Sequence, residues 1–256
     1  MRNVAILALT GWRENLRSRF YLLSLAFAGI FLYMSLIFGV LAVEQELRVL
    51  VDFGLGFIEL MGLAGALYGA TTIVLREMET KTIYLVLTRP VGRGEYLLGR
   101  FLGLMLSVLA AMALMSAFHL VILWAKGWRG PEPYALAFLG AYLKVLVTAA
   151  LATFLAIFSS SVLTAGVIAC VLWTLGHFLP EIKFLIGHGA PRLAALPLTV
   201  LSYVVPDLQL FNLRDRAVAA SLAAPEAGLA WWLGYAVFYG GVWLALAWGL
   251  LRRKEF

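Results

Sequence analysis

The sequence predicts an all-α integral membrane protein with six transmembrane helices. Of its 256 residues, 63% are hydrophobic and 13% are charged, and the mean hydropathy is +0.93. Because a soluble domain is about 45–50% apolar and about 25% charged, this chain has more apolar surface than one soluble core could bury. Six apolar segments are long enough, or nearly so, to cross the ~30 Å hydrocarbon core of a bilayer. We therefore treat residues 1–256 as a single transmembrane domain.

An amphipathic segment precedes the first span. In residues 1–19, Ile6, Leu9, Trp12 and Leu16 recur at intervals of three or four, and charged residues occupy the opposite face. This pattern is typical of a helix that lies among the lipid headgroups, although it also fits an extension of the first span. The apolar run that follows exceeds the roughly 7–15 residues of a signal peptide's apolar region, so we expect it to be retained as a helix.

The apolar segments are separated by short polar connections. The spans are predicted at residues 20–43, 53–75, 97–124, 135–158, 162–179 and 228–251. Ser159, Ser160 and Ser161 predict a tight turn, so the fourth and fifth spans form a hairpin. Residues 180–227 contain a further apolar stretch, Leu193–Val205, that includes Pro197 and is too short to span. We expect this region to form a re-entrant or interfacial segment on the outer side.

The distribution of Lys and Arg predicts the orientation. With six spans both termini lie on one side, which holds twelve basic residues, counting Arg100 at the start of the third span, against seven on the other. Because cytoplasmic loops carry the excess of Lys and Arg, both termini are expected in the cytoplasm. The net charge of +6 does not indicate nucleic-acid binding, since the basic residues flank hydrophobic runs and form no separate patch.

Two charged residues fall deep inside the predicted spans, away from their ends. Glu59 and Lys144 are placed at similar depths, about 10–14 Å from the outer face. Each costs about 2.5–3.5 kcal/mol at mid-membrane on insertion scales, so we expect them to pair within one chain or between two chains. The pair either takes part in transport or only fixes helix packing, and Lys144 could instead extend towards the interface. His119 is expected to enter the same layer.

Two glycine pairs are spaced for close helix contact. Gly65 and Gly69 lie in the second span, and Gly99 and Gly103 lie in the third. Four-residue spacing lets two helix backbones approach closely, although glycine is also generally frequent in membrane helices.

No catalytic or metal-binding motif is present in the sequence. There is no phosphate-binding Gly-x-x-x-x-Gly-Lys-Ser/Thr loop, no Gly-x-Ser-x-Gly elbow and no His-Glu-x-x-His pair. The histidines and Cys170 are scattered without ligand spacing, and a single cysteine forms no internal disulfide. We therefore expect a protein that is not an enzyme and that holds no metal or cofactor of its own.

The connection between the second and third spans, residues 76–96, has a pattern of its own. Ile83, Tyr84 and Leu87 share one helical face, and Pro90 disfavours helix at the residue before it. These features predict a short cytoplasmic helix that ends near Thr88. Its apolar face suits docking into a groove of a partner, although a solvated connection whose charges only set topology is the alternative.

This connection resembles the first cytoplasmic loop of ABC-2 type permeases, the six-span membrane subunits of ABC exporters. The resemblance lies in Glu-Met-Glu-Thr-Lys-Thr-Ile at residues 77–83 and in Leu-Thr-Arg-Pro-Val-Gly-Arg-Gly-Glu-Tyr-Leu-Leu-Gly-Arg at residues 87–100. The segment Tyr203–Asn212 is similar to the outer segment before the last span in permeases of the nitrous-oxide-reductase-maturation type. With the amphipathic start and the basic tail, the resemblance covers nearly the whole chain.

The resemblance implies a homodimeric permease in a bacterial cytoplasmic (inner) membrane, with two copies of a separate ATPase subunit that binds ATP and Mg²⁺. It implies a translocation path between the two permeases, lined by spans two and five. The residues of the coupling helix that would dock on the ATPase are Glu77, Glu79, Lys81, Thr82, Tyr84, Leu87, Arg89 and Pro90. Those of an outer gate are Pro206, Asp207, Phe211 and Asn212.

Two other functions remain compatible with the residues. One is an ATP-independent secondary transporter or channel that uses Glu59 and Lys144 for ion coupling. The other is a membrane anchor subunit that transports nothing.

Overall fold

The computed structural model describes residues 2–17, 26, 29–30, 33–34, 36–37, 39, 45–80, 91–188, 192–214 and 228–253. In these residues all regular structure is helical. The α-helices are α1 (Arg2–Leu16), α2 (Glu46–Glu79), α3 (Arg93–Ala125), α4 (Pro131–Ser159), α5 (Val162–His177), α6 (Leu179–Gly187), α7 (Arg192–Val204) and α8 (Leu229–Arg253), and a 3₁₀ helix spans Gln209–Phe211. Most of the first predicted span, 20–43, lies outside the described residues.

Four of these helices, α2, α3, α4 and α8, are long and apolar enough to cross a membrane. The pair α5 and α6 adds a fifth span if the two are counted as one, although they are bent by 61°. These helices confirm an all-helical, multi-pass membrane protein. The fifth predicted span, 162–179, is not one straight helix, because Pro180 in the first turn of α6 lacks the amide hydrogen that would continue α5.

Helix α4 lies at the centre of the bundle and packs against α2, α5 and α8. Its buried residues include Ala141, Ala149, Ala150 and Ala152, whose small side chains let neighbouring backbones approach closely. The polypeptide reverses after α4 at Ser160, which has a φ of 53°, so α5 runs back antiparallel to α4. As a result, the first residues of α4 lie at the opposite end of the bundle from this turn.

Helix α1 packs along α3 over the second glycine pair. A Cβ on Gly103 would lie 2.7 Å from the carbonyl oxygen of Ala8, and one on Gly99 would lie 2.6 Å from the Leu7 side chain. The first glycine pair differs, because Gly69 packs against the Leu104 side chain of α3, whereas a Cβ built on Gly65 has no atom of the described residues within 4 Å. Close helix approach therefore explains three of the four glycines.

We expect Gly103→Ala to loosen α1 from α3 and to destabilise the protein by about 1–3 kcal/mol. The new methyl group would overlap backbone atoms of α1, which cannot move aside as a side chain does by changing its rotamer. Thermal unfolding in detergent measures this loss. Gly241→Ala in α8 is the matched control, since a Cβ there has no neighbour within 4 Å in the part of the chain that the structure describes. Equal unfolding temperatures for the two variants would contradict the packing described here.

The bundle has two ends, named here for the elements they carry. The terminal end carries α1, the last turn of α2, the first turn of α3 and the last turn of α8, where Arg93 donates to the carbonyl oxygen of Leu251 over 2.9 Å. The distal end carries the start of α2 and the end of α3, joined by Lys126 and Glu46 at 2.5 Å. The sequence predicts that the terminal end faces the cytoplasm.

Candidate functional site

Helix α5 stops partway along the bundle. It begins at the terminal end, and after 16 residues its last residue, His177, places Nε2 3.4 Å from Lys144 Nζ in the middle of α4. The distal part of α4 therefore has no α5 beside it. A different part of the chain fills this space.

Residues 205–214, the distal segment, occupy the space that α5 leaves. The carbonyl oxygen of Phe211 lies so close to Gly140 of α4 that any side chain on this glycine would collide with it. Leu208 and Phe211 are buried there, and a Cβ on Gly176 of α5 would lie 2.8 Å from the carbonyl oxygen of Pro206. Glycines at these contacts let the backbone of the distal segment enter the bundle.

The distal segment also caps the end of α5. The amide of Leu208 donates to the carbonyl oxygen of Gly176 over 3.2 Å, and Gln209 Nε2 donates to that of His177 over 2.9 Å. These bonds satisfy carbonyl groups that a helix end leaves without partners. Asp207 adds bonds to two further helices: its amide donates to the Tyr235 hydroxyl over 2.8 Å, and its carboxylate lies 3.0 Å from Lys183 Nζ.

The four residues predicted for an outer gate all lie in the distal segment. Pro206 and Phe211 are buried, Asp207 is half-buried and bonded as described, and Asn212 is exposed. The structure thus gathers them at the distal end, at the point where α5 stops.

Beneath the distal segment lies a cluster of ionisable side chains, named here the charge cluster: the buried Glu59 and Lys144 and the half-buried His177 and Arg214. Lys144 Nζ lies 3.2 Å from Glu59 Oε1, and the two residues are only 2% and 4% exposed. Arg214 Nη2 lies 3.0 Å from Glu59 Oε2, and His177 Nε2 lies 3.7 Å from Glu59 Oε1. The structure therefore brings Glu59 and Lys144 together within one chain, and Lys144 does not extend to the surface.

The charge cluster joins four separate elements through one carboxylate. Glu59 belongs to α2, Lys144 to α4, His177 to α5 and Arg214 to the distal segment. Ions this deeply buried lose hydration energy, and only good pairing geometry offsets that loss. The arrangement acts as an ionic tie between the distal segment and the helices, so displacing the segment requires the bond between Arg214 and Glu59 to break.

Arg214 and His177 were not predicted for this cluster, and His119 does not join it. His119 Nδ1 lies 3.0 Å from the Tyr134 hydroxyl and its Nε2 lies 3.2 Å from the carbonyl oxygen of Leu50. Its ring occupies the space over Gly54, five residues nearer the distal end than Glu59. A second glycine, Gly56, makes similar room for the Arg214 guanidinium, which lies 3.2 Å from a built Cβ.

The predicted coupling region 76–96 is only partly described. Residues up to Glu79 continue α2 and residues from Arg93 begin α3, so the connection itself is shorter than predicted. Glu77 accepts a hydrogen bond from Tyr96 and pairs with Arg100, which also lies 2.6 Å from Glu14 of α1. Its carboxylate is therefore bound within the chain.

Of the other predicted docking residues, the structure describes only Glu79, which is the last residue of α2. Lys81, Thr82, Tyr84, Leu87, Arg89 and Pro90 lie outside the described residues. The short docking helix therefore stays a prediction.

Comparison with known proteins identifies the family. The model of the family described as "ABC-2 family transporter protein" matches residues 33–186, which is more than half of the chain. The chain belongs to the ABC-2 transporter family. Its similarity to the "Probable ABC transporter permease protein NosY" of Pseudomonas aeruginosa agrees, with 32% identity over 212 residues that cover 74% of each chain.

This ABC-2 protein is thus a membrane subunit of an ABC transporter, as the loop motif and the segment Tyr203–Asn212 predicted. Membership of the family implies that it works with an ATPase subunit. The matched residues 33–186 include Glu59, Lys144 and His177, whereas Arg214 and the distal segment follow the match.

Proposed function

We propose that two copies of this ABC-2 permease form the membrane path of an ATP-driven exporter, and that two separate ATPase subunits bind ATP and Mg²⁺ at the terminal end. In this proposal the terminal end faces the cytoplasm of a bacterial cell and the distal segment closes the outer end of the path. The observation that carries the proposal is that α2 and α5, which hold Glu59 and His177, are neighbours with uncovered apolar faces.

The uncovered faces follow helical spacing. On α2, Leu60 and Tyr68 are 43% and 39% exposed, and on α5, Leu163 and Val167 are 78% and 57% exposed. Helices of a membrane protein associate by van der Waals packing, and these two faces are not covered by the described residues of the chain. A second copy seated on α2 and α5 would place two charge clusters beside one shared path.

Helix α2 connects the two ends of the proposed path. Glu59 and Glu77 are eighteen residues apart on it, a rise of about 27 Å. Glu77 is tied through Arg100 to α3 and α1, so a movement imposed on the adjoining residues 81–90 would reach all three helices. This is the route by which an ATPase docked on those residues would act on the charge cluster.

The ATP-independent alternative is less well supported by the geometry. An ion-coupling carboxylate must exchange its partner for the transported ion, whereas Glu59 already holds Lys144 and Arg214. Neither an ATP-independent transporter nor an anchor subunit would depend on an ATPase. The following experiment measures whether this chain binds and needs one.

We expect Leu87→Glu to weaken binding of the ATPase subunit about 30-fold, because a central apolar anchor of an interface contributes about 2 kcal/mol. The measurement is retention of the ATPase on the purified, tagged permease, together with its ATPase rate. Leu185→Glu is the control, since Leu185 is an exposed leucine of α6 outside the proposed docking region. Retention unchanged by Leu87→Glu, or a permease that transports without any ATPase, would reject the proposal.

The single cysteine of the chain tests the dimer without further engineering. Cys170 is exposed on α5, on the face proposed to meet the second copy. We expect a short bis-maleimide to convert most of the membrane-embedded protein into a cross-linked dimer, and Cys170→Ser to abolish that product. A chain that stays monomeric at every cross-linker length would contradict the proposed homodimer interface.

A further inference from the structure

A second feature of the fold, separate from the charge cluster, is a cavity of about 230 Å³ between α1, α2 and α3. Its walls come from one face of α2, from Met61 to Glu77, and from one face of α3, from Arg100 to Met115. Fifteen residues separate Met61 from Arg76, so the cavity runs about 22 Å along the bundle. This exceeds the ~15 Å hydrocarbon depth of one bilayer leaflet.

The two halves of the cavity differ in chemistry. Towards the middle of the bundle its walls are apolar or small, with Met61, Gly65, Val108 and Met115 among them. At the terminal end its walls are polar and charged, formed by Glu14, Asn15, Arg76, Glu77 and Arg100. The cavity is therefore amphipathic along its length, with its polar end at the terminal end of the bundle.

The unmet hydrogen-bonding capacity at the polar end consists of donors. Asn15 Nδ2 and Arg100 Nε are buried and have no hydrogen-bond partner among the described residues. Within the same residues, the exposed Arg76 guanidinium forms no ion pair. The two carboxylates there are already engaged, because Glu14 and Glu77 both pair with Arg100. An occupant that completes this end must supply acceptor oxygens, and a phosphate group is the strong acceptor that suits arginine.

Gly65 gives the cavity its free width. Among the residues that the structure describes, no atom lies within 4 Å of a Cβ built on Gly65, although this residue lies on the cavity wall. The adjoining glycines are different, since a Cβ on Gly62 would lie 2.5 Å from the Met112 sulfur and one on Gly69 would collide with Leu104. A side chain at Gly65 would therefore project into the cavity from the wall formed by α2.

We propose that this cavity is a binding site for one glycerophospholipid. An acyl chain lies along the wall that contains Gly65, and the phosphate accepts hydrogen bonds from Arg76, Asn15 and Arg100. The balance of two arginines and two glutamates at the polar end makes its formal charge zero. This balance suits a zwitterionic headgroup, whose amine would share the exposed carboxylate of Glu14 with Arg100.

The test counts lipid bound to the full-length chain by native mass spectrometry after delipidation and titration with dioleoylphosphatidylethanolamine. We expect one tightly bound lipid per chain. Gly65→Leu should reduce its occupancy to background because the new side chain fills the space of the acyl chain. Arg76→Gln should weaken binding about tenfold by removing a charged phosphate partner. Gly234→Leu on α8, where a built Cβ also has no described atom within 4 Å, is the matched control and should bind the lipid like the unmodified chain.

Two further probes separate the possible occupants. Phosphoethanolamine, which has the headgroup but no acyl chain, should not compete, and dioleoylglycerol, which has the chains but no phosphate, should bind much more weakly. Equal competition by phosphoethanolamine would make the cavity a site for a soluble anion and would overturn the proposal. The proposal also fails if Gly65→Leu keeps its lipid but loses the Cys170 cross-linked dimer, because the cavity would then belong to the second copy.

Discussion

Replacement of Glu59 by Gln is expected to destabilise the protein by about 3–5 kcal/mol, because it leaves the buried Lys144 ammonium without its anion and removes one partner of the half-buried Arg214. Lys144 and Arg214 both bind this carboxylate, at 3.2 Å and 3.0 Å, and Lys144 is only 2% exposed. The amide of glutamine has nearly the same shape, so the loss is one of charge and not of packing. Thermal or denaturant unfolding in detergent measures it.

A nearby carboxylate provides the matched control. Asp52 also pairs with Arg214, at 3.5 Å, but its side chain is 47% exposed. Asp52→Asn should cost at most about 1 kcal/mol, since water screens a half-exposed pair. If Asp52→Asn and Glu59→Gln lowered the free energy of unfolding equally, burial of the charge cluster would not determine how much it stabilises the protein.

A double variant separates stability from transport. In Glu59→Gln combined with Lys144→Met, the buried carboxylate and the buried ammonium are removed together, and much of the lost stability should return. If the ionic tie serves only packing, this stable double variant should transport at the normal rate. We expect it instead to transport poorly, because the distal segment has lost the ion pair between Arg214 and Glu59 and keeps only the more exposed pair with Asp52 on α2.

The membrane-spanning helices could be predicted because lipid leaves the backbone few alternatives to helix, so length and hydropathy suffice. Their ends could not, because α2 continues through charged residues to Glu79 and its last turn is bound by Tyr96 and Arg100. Hydropathy gives no signal for a helix that continues into polar surroundings. The bend between α5 and α6 had a local signal in Pro180, but the apolar pattern runs across it.

The charge cluster was half predictable for a similar reason. Glu59 and Lys144 stand out because charges inside apolar spans are costly, and a costly charge needs a partner. Arg214 lies 155 residues from Glu59 in a segment without periodicity, so nothing local indicated that it returns to α2. The sequence predicted His119 in the layer of Glu59, where the structure has His177 instead. Position along a helix gives the depth of a residue but not the direction in which its ring points. The sequence signal for these contacts lies in Gly54 and Gly56, which mark the positions where the side chains of His119 and Arg214 approach α2.

Gly140→Ala is expected to displace the distal segment from the bundle. The added methyl group collides with the carbonyl oxygen of Phe211, and a backbone atom cannot move aside by changing a rotamer. Overpacking of this kind costs about 1–3 kcal/mol, which is enough to favour conformations in which the segment has moved out. Because the segment also caps α5, its displacement should expose the last carbonyl groups of that helix as well.

Movement of the distal segment can be measured by cysteine labelling at one of its buried positions. Val205, 2% exposed, is changed to Cys in a Cys170→Ser background, and its reaction with a membrane-impermeant maleimide is timed. Gly140→Ala should speed the reaction about tenfold or more, because the rate follows the population of opened protein. Gly166→Ala in α5, where a Cβ has no described atom within 4 Å, should leave the rate unchanged. If labelling stays slow while transport is lost, the segment is fixed in place and the path must open elsewhere. If labelling and transport both rise, the distal segment is the part of the chain that limits passage.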